Sequence, residues 1–409
     1  MLALLTLVGL AQGGVLATYG GGAVGSAANT GAAASSPLSA WHNPAAMDTP
    51  RIEESVEWLY GQHRFRHNGA ALSVTDDANG VLLGTVVNGY FINIPQVHMG
   101  LATYLPVAGP YAWDEVPEGW EKTAPTPQLL RYKDELNRME VAVAMNAWLT
   151  PWLSVGLGVD ASADVQTITV AALDDINAPE TARKAQEVGI TPTFHPYAGV
   201  LVQVGEEDAQ QLRLGLVGRT ARAMRDFGES GVQILALNAV YAHDYRRHHA
   251  PRSVTLGAAV AGLGPLELRA ESTWAEWSEI TGPYGESLDP AWRDTMDLAV
   301  GLEGSWDGVA VQAGHRITPS AARQVPLGTA HLDGRGSTWT LGLKRQLVES
   351  RQRLIHLIVG LQRTRVDGER LSDPSGAFHR FGGTLTAGRV GLEIGHKGVR
   401  KEAVWSKSE

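Results

Sequence analysis

Residues Leu153 to Gln166, LSVGLGVDASADVQ, decide the fold. One parity of this run holds Leu153, Val155, Leu157, Val159, Ala161, Ala163 and Val165, and the other holds Ser154, Gly156, Gly158, Asp160, Ser162, Asp164 and Gln166. A strand sends successive side chains to opposite faces, whereas a helix would scatter both sets around its axis. The stretch is therefore a strand with one apolar face and one polar or small face. The same pattern recurs outward in both directions. Leu266, Leu268 and Ala270 oppose Glu267, Arg269 and Glu271; Met296, Leu298, Val300 and Leu302 oppose Asp297 and Glu303; Val390, Leu392 and Ile394 oppose Arg389, Gly391 and Glu393.

Carried along the chain, the alternation predicts fourteen strands, at 52–66, 81–92, 96–106, 138–149, 153–168, 194–205, 211–222, 253–260, 265–278, 295–305, 309–317, 337–347, 353–364 and 382–397. The connections at 93–95, 150–152, 206–210, 261–264, 306–308 and 348–352 are short, and those between them are long. An even strand number with short turns on one rim and long loops on the other is the pattern of a bacterial outer-membrane barrel, with both chain ends on the short-turn, periplasmic side. The predicted fold is thus all-β, a 14-stranded antiparallel transmembrane β-barrel. Gly231 to His243 is apolar enough for a strand but is assigned to the loop 223–252, because one added strand breaks the even count; extension of the flanking strands is the other reading. The loops 107–137, with Tyr111, Trp113 and Trp120, and 169–193, with a helix-forming run at Asp174 to Val188, are either an outer cap or plain solvated loops.

Composition bounds the function. The 409 residues show no linker and read as one unit. Charged residues make up 19%, and mean hydropathy is -0.10, too polar for a helical membrane bundle, which needs apolar runs of about 20 residues. The absence of cysteine excludes disulfides, thiolate metal sites and cysteine nucleophiles. A net charge of -9 argues against nucleic acid. No serine-hydrolase elbow, zinc-protease motif or plausible carboxylate pair is present, so no enzyme, cofactor or metal is expected. Residues 1–14 read as a signal segment from the apolar run Met1 to Gln12, which lacks a leading positive charge, and 399–409 as a tail after a barrel at 51–398.

That leaves Tyr19 to Pro50, YGGGAVGSAANTGAAASSPLSAWHNPAAMDTP. Gly, Ala and Ser bury too little area to offset the backbone entropy of ordering them, about 1–2 kcal/mol per residue, so the stretch needs an outside support. Residues 15–50 are expected to form a plug inside the cylinder that the strands make. Gly20, Gly22 and Gly25 match a dinucleotide-binding spacing, but strands follow rather than a βαβ unit, so the match carries no nucleotide site.

With the plug, the chain resembles the FadL/TodX family of outer-membrane transport proteins. The resemblance rests on Asn43-Pro44-Ala45 closing the small-residue segment, on Leu212 to Arg222, on Ser253 to Ile280 with its terminal Trp277-Ser278, and on Asp294 to Pro319. It implies a barrel plugged by its amino-terminal segment that passively transports long-chain fatty acids or other hydrophobic small molecules, acting as a monomer in outer-membrane lipid and lipopolysaccharide. The carboxyl terminus departs from a common barrel pattern, since Ala403 to Glu409 does not end on an aromatic residue. Only Asn43, Pro44 and Ala45 carry over as site residues. Proline fixes its own backbone and biases Asn43 to an extended shape, and the asparagine side chain can satisfy nearby backbone groups.

On the polar parity lie Asp160, Asp164, Arg213, Arg219, Glu267, Arg269, Glu271, Glu303 and Arg389. Ionisable residues of a membrane protein face its interior, where these are expected to pair, anchor the plug or guide a carboxylate. A charged lumen also suits a general diffusion pore, and a structural or adhesion barrel is a further alternative. His243, His248 and His249, with Arg246, Arg247 and Arg252, form a basic cluster in one long loop, read as a solvated loop able to meet lipopolysaccharide phosphates or a fatty carboxylate, with a metal site as the other reading. Trp274, Trp277, Trp148 and Trp152 are expected in the interfacial aromatic girdles.

Overall fold

The computed structural model describes residues 31–71, 78–107, 127–128, 139–173, 183–205, 210–234, 237–279, 292–323, 330–331, 333–368, 370–372, 376 and 378–396; side chains at 78, 127–128, 162–173, 183–188, 190, 223–249 and 330–331 lie outside that description. Long strands dominate. In chain order they are β1 (Ile52–His67), β2 (Ala78–Asn88), β3 (Val97–Pro106), β4 (Glu140–Thr150), β5 (Leu153–Leu173), β6 (Arg183–Gly205), β7 (Gln211–Arg219), β8 (Arg222–Ile234) and β9 (Leu237–Ala250). Then follow β10 (Ser253–Leu263), β11 (Leu266–Ala275), β12 (Thr295–Trp306), β13 (Val309–Thr318), β14 (Arg335–Glu349), β15 (Arg353–Asp367) and β16 (Phe378–His396).

Fourteen of them form a closed antiparallel barrel. Each of β1 to β6 pairs with the next, β7 pairs with β10, the sequence continues to β16, and β16 closes on β1. The closing seam runs in continuous register from Ile52 opposite His396 to His67 opposite Phe381. Closure leaves no free edge along the seam to recruit another chain.

Alternation decides which face each residue takes. Val56, Trp58 and Tyr60 of β1 are exposed while Ser55, Glu57 and Leu59 between them are buried. On β5, Leu157 and Val159 face out and Asp160 faces in. The exposed outer belt includes Leu298, Val300, Trp339 and Leu341, whereas Glu271, Gln312 and Arg389 are buried inside. Turn chemistry agrees at β12–β13, where Asp307 and Gly308 both take positive φ, 44° and 76°. That pairing of residues is the type I′ preference of a two-residue hairpin.

Three connections differ from the alternation reading. β2 ends at Asn88, not 92, because a 3-10 turn at Gly89–Ile92 is capped by the Asn88 side chain, which accepts from the Tyr90 amide. Strand β5 runs to Leu173 and β6 begins at Arg183, so 183–193 is strand rather than loop. Residues 231–234 and 237–243 are strand as well: β8 and β9 pair with each other as a hairpin outside the ring. β8 also lies parallel to the extension of β5, from Asp226 opposite Val165 to Ile234 opposite Leu173. Adding two strands rather than one preserves the parity of the barrel.

Candidate functional site

Residues 31–50 lie against the inward faces of the barrel and are nearly all buried. Local hydrogen bonds shape them where no ladder is available. The Ser36 amide donates to Ser39 Oγ at 2.8 Å, and the Leu38 amide donates to Ser36 Oγ at 3.2 Å. A one-turn helix, α1 (Ser39–His42), follows. Asn43 then breaks it with an extended backbone, φ -151° and ψ 107°, and caps a 3-10 turn at Pro44–Ala46. Its Oδ1 accepts from the Ala45 amide at 3.0 Å, while Nδ2 donates to the Ala32 carbonyl at 2.6 Å. One side chain thus ties the turn to the start of the segment, as side-chain bonds do where the backbone lacks regular partners.

The wall grips this turn through asparagine. Asn146 of β4 donates from Nδ2 to the carbonyls of Met47 at 2.7 Å and Ala45 at 3.2 Å. Its Oδ1 accepts from the His98 amide at 3.1 Å, coupling β3 to β4 at the same point. Asn88 of β2 donates to the Thr49 carbonyl at 3.2 Å. Glycines admit the segment's backbone at contact distance. A Cβ on Gly156 would lie 2.5 Å from the Pro44 carbonyl carbon, and one on Gly84 would lie 2.7 Å from that of Pro37.

Higher in the barrel the contacts change from amide to charge and ring. Glu271 of β11 takes the Ala32 amide at 3.0 Å on one carboxylate oxygen and Arg316 Nη2 at 3.0 Å on the other. The Tyr197 hydroxyl of β6 donates to the Ala40 carbonyl. Arg219, the last residue of β7, lies between the rings of Trp41, 4.4 Å away, and Tyr197, 4.3 Å away. Arg222 binds Asp160 at 2.6 Å and Glu140 at 3.4 Å. Trp41, Tyr197, Arg219, Arg222 and Asp160 border a cavity of about 20 Å³. Burial, reinforced by the charges of Arg219, Arg389 and Arg316, lowers the pKa of His42 from 6.5 to about 3 and keeps its ring neutral.

The interior charges named from the sequence divide into two groups. Arg213 with Glu267 at 2.9 Å, and Arg269 with Glu267 at 2.5 Å and Glu303 at 2.9 Å, form a chain along β7, β11 and β12. Arg389 faces Glu57 across the seam at 3.4 Å. Arg219, Asp160 and Glu271 instead lie where the wall meets residues 31–50. The Asp164 side chain lies outside the described residues, as do those of His243, Arg246, Arg247, His248 and His249; Arg252 pairs with Glu276.

The tryptophans need two corrections. Trp148 shares the inward parity of Asn146 and packs against Ala45, Ala46 and Leu201, so it belongs to the interior rather than a girdle. Trp277 lies past the end of β11, in a 3-10 turn that breaks the parity, and packs at a tilt of 34° against Trp292 with ring centroids 5.8 Å apart. Trp152 is exposed and fits a girdle. Asn146, Asn88, His98 and Tyr197 were not singled out from the sequence. The signal was available: each is polar or hydroxyl-bearing on the inward parity of a strand, where the segment's orphan backbone groups need partners.

No family profile and no curated protein sequence matches the chain. Solved structures do. A FadL homologue of Pseudomonas aeruginosa is 14% identical over 95% of this chain and 99% of its own, with a TM-score of 0.56. The toluene transporter TodX of Pseudomonas putida is 12% identical over 94% and 98%, with a TM-score of 0.51. The toluene transporter TbuX of Ralstonia pickettii is 13% identical over 96% and 100%, with a TM-score of 0.50. At these identities the likeness establishes a shared barrel fold.

Proposed function

We propose that this chain is a passive bacterial outer-membrane transporter that carries hydrophobic small molecules inward, and that residues 15–50 are its plug. The observation that carries the reading is the buried Asn43-Pro44-Ala45 turn, hydrogen-bonded to the inner wall by Asn146 and lodged against Gly156. A barrel blocked in this way conducts little water or salt, which disfavours a general diffusion pore. The attachments are hydrogen bonds and close contacts, so the plug can shift without breaking a covalent bond. The apolar outer belt suits lipid, and the paired interior charges suit a hydrated lumen. Solved neighbours named as a FadL homologue and as toluene transporters support a hydrophobic cargo. No reaction chemistry is needed.

In this mechanism an apolar molecule is captured by the outer loops, where lipopolysaccharide is the neighbour, and is desolvated between wall and plug. Each buried methylene contributes about 0.8 kcal/mol, enough for a long acyl chain to bind with few polar contacts. The plug then rearranges and the molecule leaves toward the periplasm, with one chain sufficient for the path. The test is uptake of labelled oleate and labelled toluene by cells that lack their own transporter and express this chain. Uptake of oleate identifies a fatty-acid cargo, and uptake of toluene alone moves the cargo to hydrocarbons. Uptake of neither, with the barrel verified in the membrane, refutes transport and favours a structural or adhesion barrel.

A further inference from the structure

Among the described residues, the strongly buried interior arginines are matched to acids with one exception. Arg222 has Asp160 and Glu140, Arg213 has Glu267, and Arg316 has Glu271. Arg219 is 7% exposed and, among the described residues, makes no hydrogen bond or ion pair; its contacts are the two aromatic faces of Trp41 and Tyr197. Stacking satisfies part of a guanidinium's charge but none of its five donors. A buried cation without an acceptor is costly, and it creates a strong demand for an anion. Nearby Asp160 makes no ion pair with Arg219: Arg222 holds its Oδ2 at 2.6 Å, and its Oδ1 has no hydrogen-bond partner among the described residues.

We propose, on the premise that the chain is a hydrophobic-molecule transporter, that Arg219 reads the acid group of an amphiphilic ligand and that Trp41 is the gate it must move. A planar guanidinium fork matches a carboxylate in two-point geometry, which a neutral hydrocarbon or alcohol cannot supply. The cavity beside Arg219 is about 20 Å³. That volume holds about one water molecule and no head group with a chain attached. The bordering group that belongs to the plug is Trp41, in α1 immediately before Asn43-Pro44-Ala45. An acid that takes the Arg219 donors therefore displaces the Trp41 ring, and the displacement passes directly into the turn that blocks the barrel. Recognition of the head group and release of the plug become one event.

The test measures equilibrium binding of oleate and of oleyl alcohol, which share a chain and differ in the head, to the purified full-length barrel in detergent at about pH 8, where the acid is ionised. The native protein is expected to prefer the acid by about tenfold or more, as a charge-assisted two-point bond warrants. Arg219→Gln is expected to erase the preference, bringing oleate affinity down to that of oleyl alcohol. Arg219→Lys restores most of it, and Trp41→Leu tightens acid binding because no ring must be displaced. Folding of each variant is checked by its heat-modifiable gel mobility. Retention of the acid preference in Arg219→Gln overturns the proposal, as does an equal loss of both ligands. Native protein that binds the alcohol or toluene without preferring the acid refutes the role of Arg219 and leaves transport standing. Native protein that binds none of the three refutes both.

Discussion

Replacing Asn146 with leucine isolates the attachment of residues 31–50 to the wall, because leucine keeps the volume and removes both donors and the acceptor. The Met47 and Ala45 carbonyls, bonded at 2.7 and 3.2 Å, then lose their buried partner. Leaving a buried polar group unmatched costs about 1–3 kcal/mol. Two such groups give about 2–6 kcal/mol, and since the turn relaxes toward other partners about 2–4 kcal/mol is expected. The equilibrium between attached and released segment then shifts about 30- to 1,000-fold. The native chain has no cysteine, so a single Ala46→Cys thiol reports release without background. Ala46 is 1% exposed and reacts with a maleimide only when the segment lifts. Asn146→Leu is expected to accelerate labelling by that factor while the barrel keeps its heat-modifiable mobility. A labelling rate within about threefold of the parent means these bonds contribute less than about 1 kcal/mol and refutes the reasoning.

Three further expectations follow from the same contacts. Gly156→Val places a Cβ 2.5 Å from the Pro44 carbonyl carbon and should dislodge the turn, raising single-channel conductance, whereas Gly395→Ala, 3.9 Å from Leu354 Cβ, should not. His42 stays neutral to about pH 3 when buried but binds a proton near 6.5 when released, so attachment is strongest above that value and weakens as pH falls through the window. At pH 5 the loss is about 2 kcal/mol, which should appear as acid-induced conductance that His42→Gln removes. Glu271→Ala strands Arg316 in the interior and should destabilise the barrel by about 3–5 kcal/mol. The double variant Glu271→Ala/Arg316→Ala should recover part of that loss in a thermal gel-shift assay.

The barrel was legible because one face of each strand meets a different solvent from the other. Leu157 faces out and Asp160 faces in on the same strand, and period two states that directly. Strand ends were less legible, because alternation does not report where a side chain such as Asn88 caps a turn. The β8–β9 hairpin was hidden for another reason. Its partner is the distant extension of β5, and no local pattern around Gly231 reveals a parallel neighbour. The site was half legible. Asn43-Pro44-Ala45 and the inward charges stand out by type and parity, but the sandwich of Arg219 between Trp41 and Tyr197 joins three segments remote in the chain. Trp277 misled because the strand parity stops at Ala275.

The segment at residues 31–50 leads into β1 at Ile52, and β1 is also the strand on which β16 closes the ring. The first-made part of the fold therefore waits for the last-made. Ala32 cannot meet Glu271 until β11 exists, and the seam joins the two ends of the described barrel. Two routes of assembly follow: the segment is laid against the growing inner wall before the final zipper of Ile52 to His67 with Phe381 to His396 is complete, or it enters afterwards through an end of the cylinder. A chain that zips early has only the second route, because the closed seam offers no side door.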